Sequence, residues 1–87
     1  MFTVYILYSL GYSKTYTGYT SNLIQRFYSH NHFSNTDWTR NYRPWVVIYC
    51  EIYDTKTEAL KREKELKSGK GRDWVQKNIA EWLPVFG

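Results

Sequence analysis

Between Tyr16 and His30 the chain passes from strand to helix within a few residues, and this passage constrains the fold more than any other feature. Tyr16-Thr17-Gly18 reads as a short strand. Gly18 lets the backbone turn, Thr20-Ser21-Asn22 offers a cap, and a helix follows. On that helix Asn22, Arg26 and His30 recur at i and i+4 and share one face. Leu23 and Phe27 fall on the adjacent, inward face. A guanidinium and an imidazole are thus displayed together just after a tyrosine-bearing strand. The pairing suits a phosphate: the Arg fork matches its oxygens, and His moves a proton near neutral pH.

The remaining elements follow in order. Phe2–Ser9, rich in β-branched and aromatic residues, predicts a strand. Gly11-Tyr12-Ser13-Lys14 supplies a turn, and Thr15 to Gly18 the antiparallel return. The first helix is predicted from about Ser21 to about Asn31. His32 to Arg43 is polar and aperiodic, and reads as an exposed loop ended by Pro44. Trp45–Tyr53 carries the strongest strand signal, an almost continuous apolar run expected at the centre of a sheet. Asp54 closes it. Thr55-Lys56-Thr57-Glu58 forms a capping box that opens a helix to about Lys67. Ser68-Gly69-Lys70-Gly71 breaks that helix. A last one is predicted from about Arg72 to Trp82, with Val75, Ile79, Trp82 and Leu83 on its apolar side and Pro84 preventing continuation. The order is β-β-α-β-α-α, an α+β chain without repeats or linkers.

Eighty-seven residues support one domain, expected to span 1–87, and 43% hydrophobic content is enough for its core. Nine Tyr and four Trp fill a small core well, and such rings are also what nucleobases stack on. A net charge of +4 is compatible with a polyanionic partner without establishing one. Cys50, the single cysteine, has no internal disulfide partner and is expected to be a small buried hydrophobe. No apolar run is long enough for a transmembrane helix, so no membrane partner is expected. The opening MFTVYILYSL lacks the basic start and cleavage site of a signal peptide, so the expected compartment is the reducing cytoplasm.

The second helix contains an irregularity. A core stripe through Ala59, Leu60 and Leu66 also passes over positions 63 and 67, and position 63 is Glu63. Glu58 and Glu65 have ordinary explanations as cap and solvated face. A carboxylate turned towards the sheet is costly unless a cation answers it, and Arg26 or a divalent metal would serve. The other reading is a rim glutamate that reaches water from the edge of the stripe.

These residues, in this order, resemble the GIY-YIG nuclease domain. The signature pair corresponds to Thr3-Val4-Tyr5-Ile6 on the first strand and Tyr16-Thr17-Gly18 on the second. It continues as Gly18-Tyr19-Thr20, Leu23, Arg26, His30 and Glu58-Ala59-Leu60-Lys61-Arg62-Glu63. The resemblance is greatest to small stand-alone members, through Arg43-Pro44-Trp45, Leu66-Lys67 and Gly69-Lys70-Gly71-Arg72. It implies a three-stranded antiparallel sheet flanked by about three helices, and metal-dependent cleavage of phosphodiester bonds; DNA is the favoured polymer, with RNA left open. By the same resemblance Tyr5 and Tyr16 match the motif tyrosines that line the active site. Arg26 matches the phosphate-binding arginine, His30 a proton-transfer position, and Glu63 the sole carboxylate that ligates Mg2+ or Mn2+. Two departures stand out. Thr3 replaces the first motif glycine, and Tyr19 stands where some repair-type members carry lysine. Asn78 is a candidate for a distal supporting asparagine.

Phosphodiester hydrolysis needs an in-line nucleophile and charge stabilisation. One carboxylate suffices for Mg2+ when waters and a phosphate oxygen complete its shell. A phenol of pKa about 10 is a poor base, whereas an imidazole of about 6.5 is poised, which favours His30 as base or relay over Tyr5 and Tyr16. Tyr19, Asn22, Lys67, Lys70 and Arg72 are the candidate nucleic-acid contacts. Taken singly, each of these residues has a plainer explanation: strand aromatics for the tyrosines, a solvated face for the charged groups. Three functions compete: a DNA endonuclease of repair or recombination, a binding module of the same fold without turnover, and a protein-interaction domain with an aromatic surface. A protein partner that supplies specificity is compatible with the first two.

Overall fold

The computed structural model describes residues 1–32 and 41–83 of the chain. The elements run β1 (Phe2–Ser9), β2 (Thr15–Thr20), α1 (Leu23–His32), β3 (Trp45–Tyr53), α2 (Lys56–Lys67) and α3 (Gly69–Trp82). The strands form one antiparallel sheet in the order β2-β1-β3. Most of the predicted loop, and Pro84, lie outside the described residues.

β1, not β3, is the central strand. Val4, Tyr5, Ile6 and Leu7 are all buried, so β1 is covered on both faces, as a central strand requires. Alternation along it sorts the core into two clusters. Val4 and Ile6 pack with Ala59 and Leu66 of α2 and Val75 of α3. Tyr5 and Leu7 pack with Trp45, Tyr16, and Leu23 and Phe27 of α1. The domain therefore has α1 on one face of the sheet and the α2–α3 pair on the other.

β3 lies at an edge of the sheet, and a bulge interrupts its pairing with β1. Ile6 pairs with Tyr49 and Leu7 with Val47, which leaves Ile48 as the extra residue. Beyond the bulge the alternation changes hand. Glu51 and Tyr53 take the α2–α3 face, while Cys50 and Ile52 turn to the α1 face, past the reach of α1. Cys50 is consequently exposed rather than buried, and Ile52 is exposed as well.

The helix boundaries differ from expectation in three places. The cap of α1 is Asn22, whose Oδ1 accepts the Gln25 N–H at 3.1 Å, and the helix continues through His32. Thr55 caps α2 by accepting the Glu58 N–H, but its hydroxyl donates to the Glu58 carboxylate instead of leaving that side chain to reach back to the backbone. The break between α2 and α3 is Ser68 alone. Its backbone N–H closes α2 on Lys64 and Glu65, and its Oγ opens α3 by accepting the Gly71 N–H at 3.3 Å. Gly69, Lys70 and Gly71 therefore belong to the first turn of α3. A Cβ on Gly71 would lie 2.0 Å from the Glu65 carbonyl oxygen, so this glycine lets the two helices meet at a single hinge residue.

Two further contacts fix α1 on the sheet. Asn31 brackets the start of β3, its Oδ1 accepting the Trp45 N–H at 2.7 Å and its Nδ2 donating to the Trp45 carbonyl at 3.1 Å. Arg43 Nε donates to the His30 carbonyl at 2.7 Å. The inner face of α1 is thereby held against Tyr5 and Tyr16.

Candidate active site

Tyr5 of β1 and Tyr16 of β2 project from the α1 face of the sheet with their ring centroids 6.3 Å apart. They can stand this close because Gly18 is the register partner of Tyr5 and has no side chain to fill the space. A Cβ there would lie 2.7 Å from the Tyr5 hydroxyl and 3.0 Å from the Tyr16 ring. α1 brings His30 onto both rings. Its Nε2 lies 3.0 Å from the Tyr5 hydroxyl, and its ring centroid is 4.7 Å from that of Tyr16. His30 is fully buried.

Arg26, one turn earlier on α1, completes the cluster by hydrogen bonding to both phenols. Burial works against its charge, but these hydrogen bonds outweigh it and hold the guanidinium's pKa above the ordinary arginine value. Burial pushes the Tyr5 phenol up to about 12; Tyr16 adds to the shift and the hydrogen bond from Arg26 opposes it. At neutral pH Tyr5 is therefore a protonated phenol. The Tyr5 hydroxyl and His30 Nε2 share a hydrogen bond; in the tautomer with the proton on Nδ1, the phenol donates to Nε2, which is the arrangement of a proton relay.

Glu63 of α2 approaches from the other layer. Only 15% of its side chain is exposed, and its charge is felt at Tyr5. Its carboxylate also meets a cation from its own helix. Lys67, one turn on, places Nζ 3.7 Å from Glu63 Oε2 and 5.9 Å from the centroid of the Tyr16 ring. Lys67 is thus part of the cluster itself rather than a member of an outlying basic run. Among the described residues no group of three or more His, Cys, Asp or Glu side chains forms a metal cluster. The donor set the site offers is one carboxylate, with phenols among the cluster's other oxygen donors. It suits a hard divalent cation that keeps most of its waters and not a soft metal that needs several protein ligands.

Other candidates stand apart. Tyr19 pairs with Val4 and faces the α2–α3 core, because adjacent strand residues point to opposite faces. Asn22 spends its side chain on the helix cap, so it does not extend the Arg26–His30 face. Lys70 borders a different cavity, with Arg62 and Trp74. Asn78 donates to the Trp74 carbonyl at 2.8 Å, within its own helix. Arg72 borders a groove that begins at Tyr16 and Lys67. Lys14 lines the same groove and carried no sequence signal beyond its place in a hairpin turn. No described helix is long and apolar enough to cross a membrane.

The chain has relatives among known proteins. The UPF0213 protein of Staphylococcus saprophyticus is 43% identical over 53 residues, which cover 61% of this chain and 65% of that protein. The UPF0213 protein of Staphylococcus haemolyticus is 42% identical over 56 residues, covering 64% and 68%. The chain thus aligns with 65% of the length of the first of these relatives. The solution NMR structure of the UPF0213 protein BH0048 from Bacillus halodurans superposes with a TM-score of 0.53 at 27% identity, covering 91% of this chain and 86% of that one. Residues 1–78 match the model of the GIY-YIG catalytic domain, and with the two tyrosines, the arginine and the histidine gathered on one face, this chain belongs to the GIY-YIG family.

Proposed function

We propose that this domain is a divalent-metal-dependent endonuclease that hydrolyses phosphodiester bonds in DNA, in the cytoplasm and in the service of repair or recombination. The observation that carries this reading is the convergence of Tyr5, Tyr16, Arg26 and His30 on one point, with the Glu63 carboxylate mostly buried beside them. A domain that only bound nucleic acid would gain nothing from a carboxylate near a phosphate, since like charges repel.

Each group has a task that follows from its setting. Arg26 presents a permanent charge for the scissile phosphate, and its bonds to both phenols preorganise it. Tyr16, less buried than Tyr5, orients the phosphate oxygens or the attacking water. Tyr5 takes a proton from that water as its own proton passes to His30 Nε2. The histidine thereby acts as a base from a position that solvent does not reach. Glu63 would hold the metal, which when bound supplies Lewis-acid neutralisation of the phosphorane charge.

The test is nicking of supercoiled plasmid with Mg2+ or Mn2+, comparing wild type with Glu63→Ala. Activity in the wild type that is lost in the variant supports the reading. Equal activity in both, or none in either, overturns it. RNA of matched sequence serves as the control for polymer preference. The Glu63–Lys67 ion pair favours one other reading, a binding module whose carboxylate is already engaged. That reading predicts salt-sensitive gel shifts without turnover.

A further inference from the structure

A groove of about 490 Å3 runs from Tyr16 along the free edge of β2, between that strand and the α2–α3 hinge. Its floor includes Leu66 and Val75, both buried. Its walls carry three cations from three separate elements: Lys14 from the β1–β2 turn, Lys67 from the end of α2, and Arg72 from the first turn of α3. Among the described residues that line it there is no carboxylate. In a chain with eight acidic residues, a cleft walled by one sign of charge focuses field on an anion.

The groove is continuous with the candidate active site, because Tyr16 and Lys67 belong to both. At its far end Lys14 lies 5.8 Å from the centroid of the Tyr42 ring, and Tyr42 packs edge-on against the exposed Tyr12. An aromatic platform therefore closes the path that the cations open, a combination that suits a backbone with bases attached. We propose that this groove is a subsite for the sugar-phosphate backbone on one side of the scissile bond, with Lys14 and Arg72 taking non-scissile phosphates. The proposal rests on the nuclease reading for its ligand class, and it adds a direction. The bound strand leaves the reacting phosphate along the outer edge of β2, towards the Gly11–Lys14 turn.

The test is binding without cleavage. Fluorescence anisotropy in EDTA follows a labelled oligothymidylate on the order of 15 nucleotides long, within the usual range of single-strand site sizes, across a salt series. Lys14→Gln/Arg72→Gln is compared with wild type, with Lys14→Arg/Arg72→Lys, which keeps the charge, and with Lys56→Gln, a remote control at the start of α2. Lys67 is left intact because it touches Glu63. Each lost phosphate contact on a single strand lowers the slope of log K against log salt by about 0.7, so the double Gln variant is expected to lose about 1.4. Its affinity at low salt should fall at least about tenfold, while the charge-keeping pair and Lys56→Gln stay within about twofold of wild type. An unchanged slope in the double Gln variant, an equal loss in Lys56→Gln, or no binding by the wild type overturns the proposal. Because the assay needs neither metal nor turnover, its outcome is separate from that of plasmid nicking. A shifted slope without nicking keeps the groove and removes the nuclease; nicking with an unshifted slope does the reverse.

Discussion

Arg62 grips Glu51 with two contacts, Nε to Oε1 at 2.9 Å and Nη2 to Oε2 at 3.1 Å, and so bolts α2 to β3. The carboxylate also accepts the hydroxyls of Tyr49 and Tyr53, and the guanidinium lies 5.4 Å from the centroid of the Trp74 ring. α3 packs onto the same group, for Trp82 stacks on Tyr49 at 4.7 Å. Arg62 and Glu63 are neighbours on a helix and therefore point about 100° apart. Fixing Arg62 against β3 sets the rotation of α2, which turns Glu63 towards Tyr5 and Tyr16 on the far side of the helix.

Removing one partner of this pair should cost more than removing both. Arg62→Met leaves a half-buried carboxylate without its cation and is expected to destabilise the fold by about 1–3 kcal/mol. Glu51→Gln/Arg62→Met should recover part of that loss, since neither residue is then left as an uncompensated charge. Urea midpoints of the two variants at neutral pH check the order.

The same carboxylate sets a pH dependence. Burial alone would raise the Glu51 pKa, but hydrogen bonds from Arg62, Tyr49 and Tyr53 outweigh it and hold the group below its ordinary value. A depressed folded-state pKa stabilises the protein at every pH above the unfolded value, and that stability is lost as pH falls through the folded one. Wild type should therefore lose stability below about pH 4, the ordinary glutamate range. Thermal melts of Glu51→Gln over the same acid range should show a shallower decline, and parallel curves for the two proteins would contradict the assignment.

Tyr5 yields a kinetic prediction. A phenol pushed up to about 12 keeps its proton throughout the neutral range, so its titration cannot shape the rate profile there. Tyr5→Phe preserves the ring but removes the link between water and His30. The rate is expected to fall about 100-fold, the low end of what positioned proton transfer contributes. Any pH dependence that His30 gives the wild-type rate through this link should be absent from Tyr5→Phe. A pH–rate series on both proteins tests this. A profile of unchanged shape in Tyr5→Phe would show that His30 does not act through Tyr5.

Much of this was legible in the chain, for identifiable reasons. β1 and β3 match their predicted ends because runs of β-branched and aromatic residues bounded by turns have few alternatives. Arg26 and His30 were legible from their i, i+4 spacing, and Tyr5 and Tyr16 through the resemblance to the GIY-YIG motifs. Periodicity is silent about a bulge, and the extra residue at Ile48 changes the face that Cys50 takes. Tyr19, a candidate nucleic-acid contact, instead faces the α2–α3 core, because three positions along a strand reverse the face that Tyr16 takes. Lys14 becomes meaningful only when the β1–β2 turn and α3 come together around one groove.

Three glycines separate conformational cost from steric cost. Gly69 and Gly71 both sit in the first turn of α3, where alanine has the better helix propensity by up to about 1 kcal/mol. A Cβ at Gly69 would meet nothing within 4 Å, so Gly69→Ala should be neutral or slightly stabilising. A Cβ at Gly71 would lie 2.0 Å from the Glu65 carbonyl oxygen and 2.5 Å from Leu66 Cα, which are backbone atoms that cannot rotate away. Gly71→Ala should therefore spread α2 from α3 and cost about 3 kcal/mol, the upper end of the usual overpacking range. Gly18 differs from both, because the atoms a Cβ would meet are the Tyr5 hydroxyl and the Tyr16 ring. Displacing those side chains should lower nicking activity at least about tenfold while the melting temperature falls less than in Gly71→Ala. Thermal melts and plasmid nicking on the three alanine variants check both orders. If Gly18→Ala cut with wild-type efficiency, the close approach of the two phenols would be a packing feature and not a requirement of the chemistry.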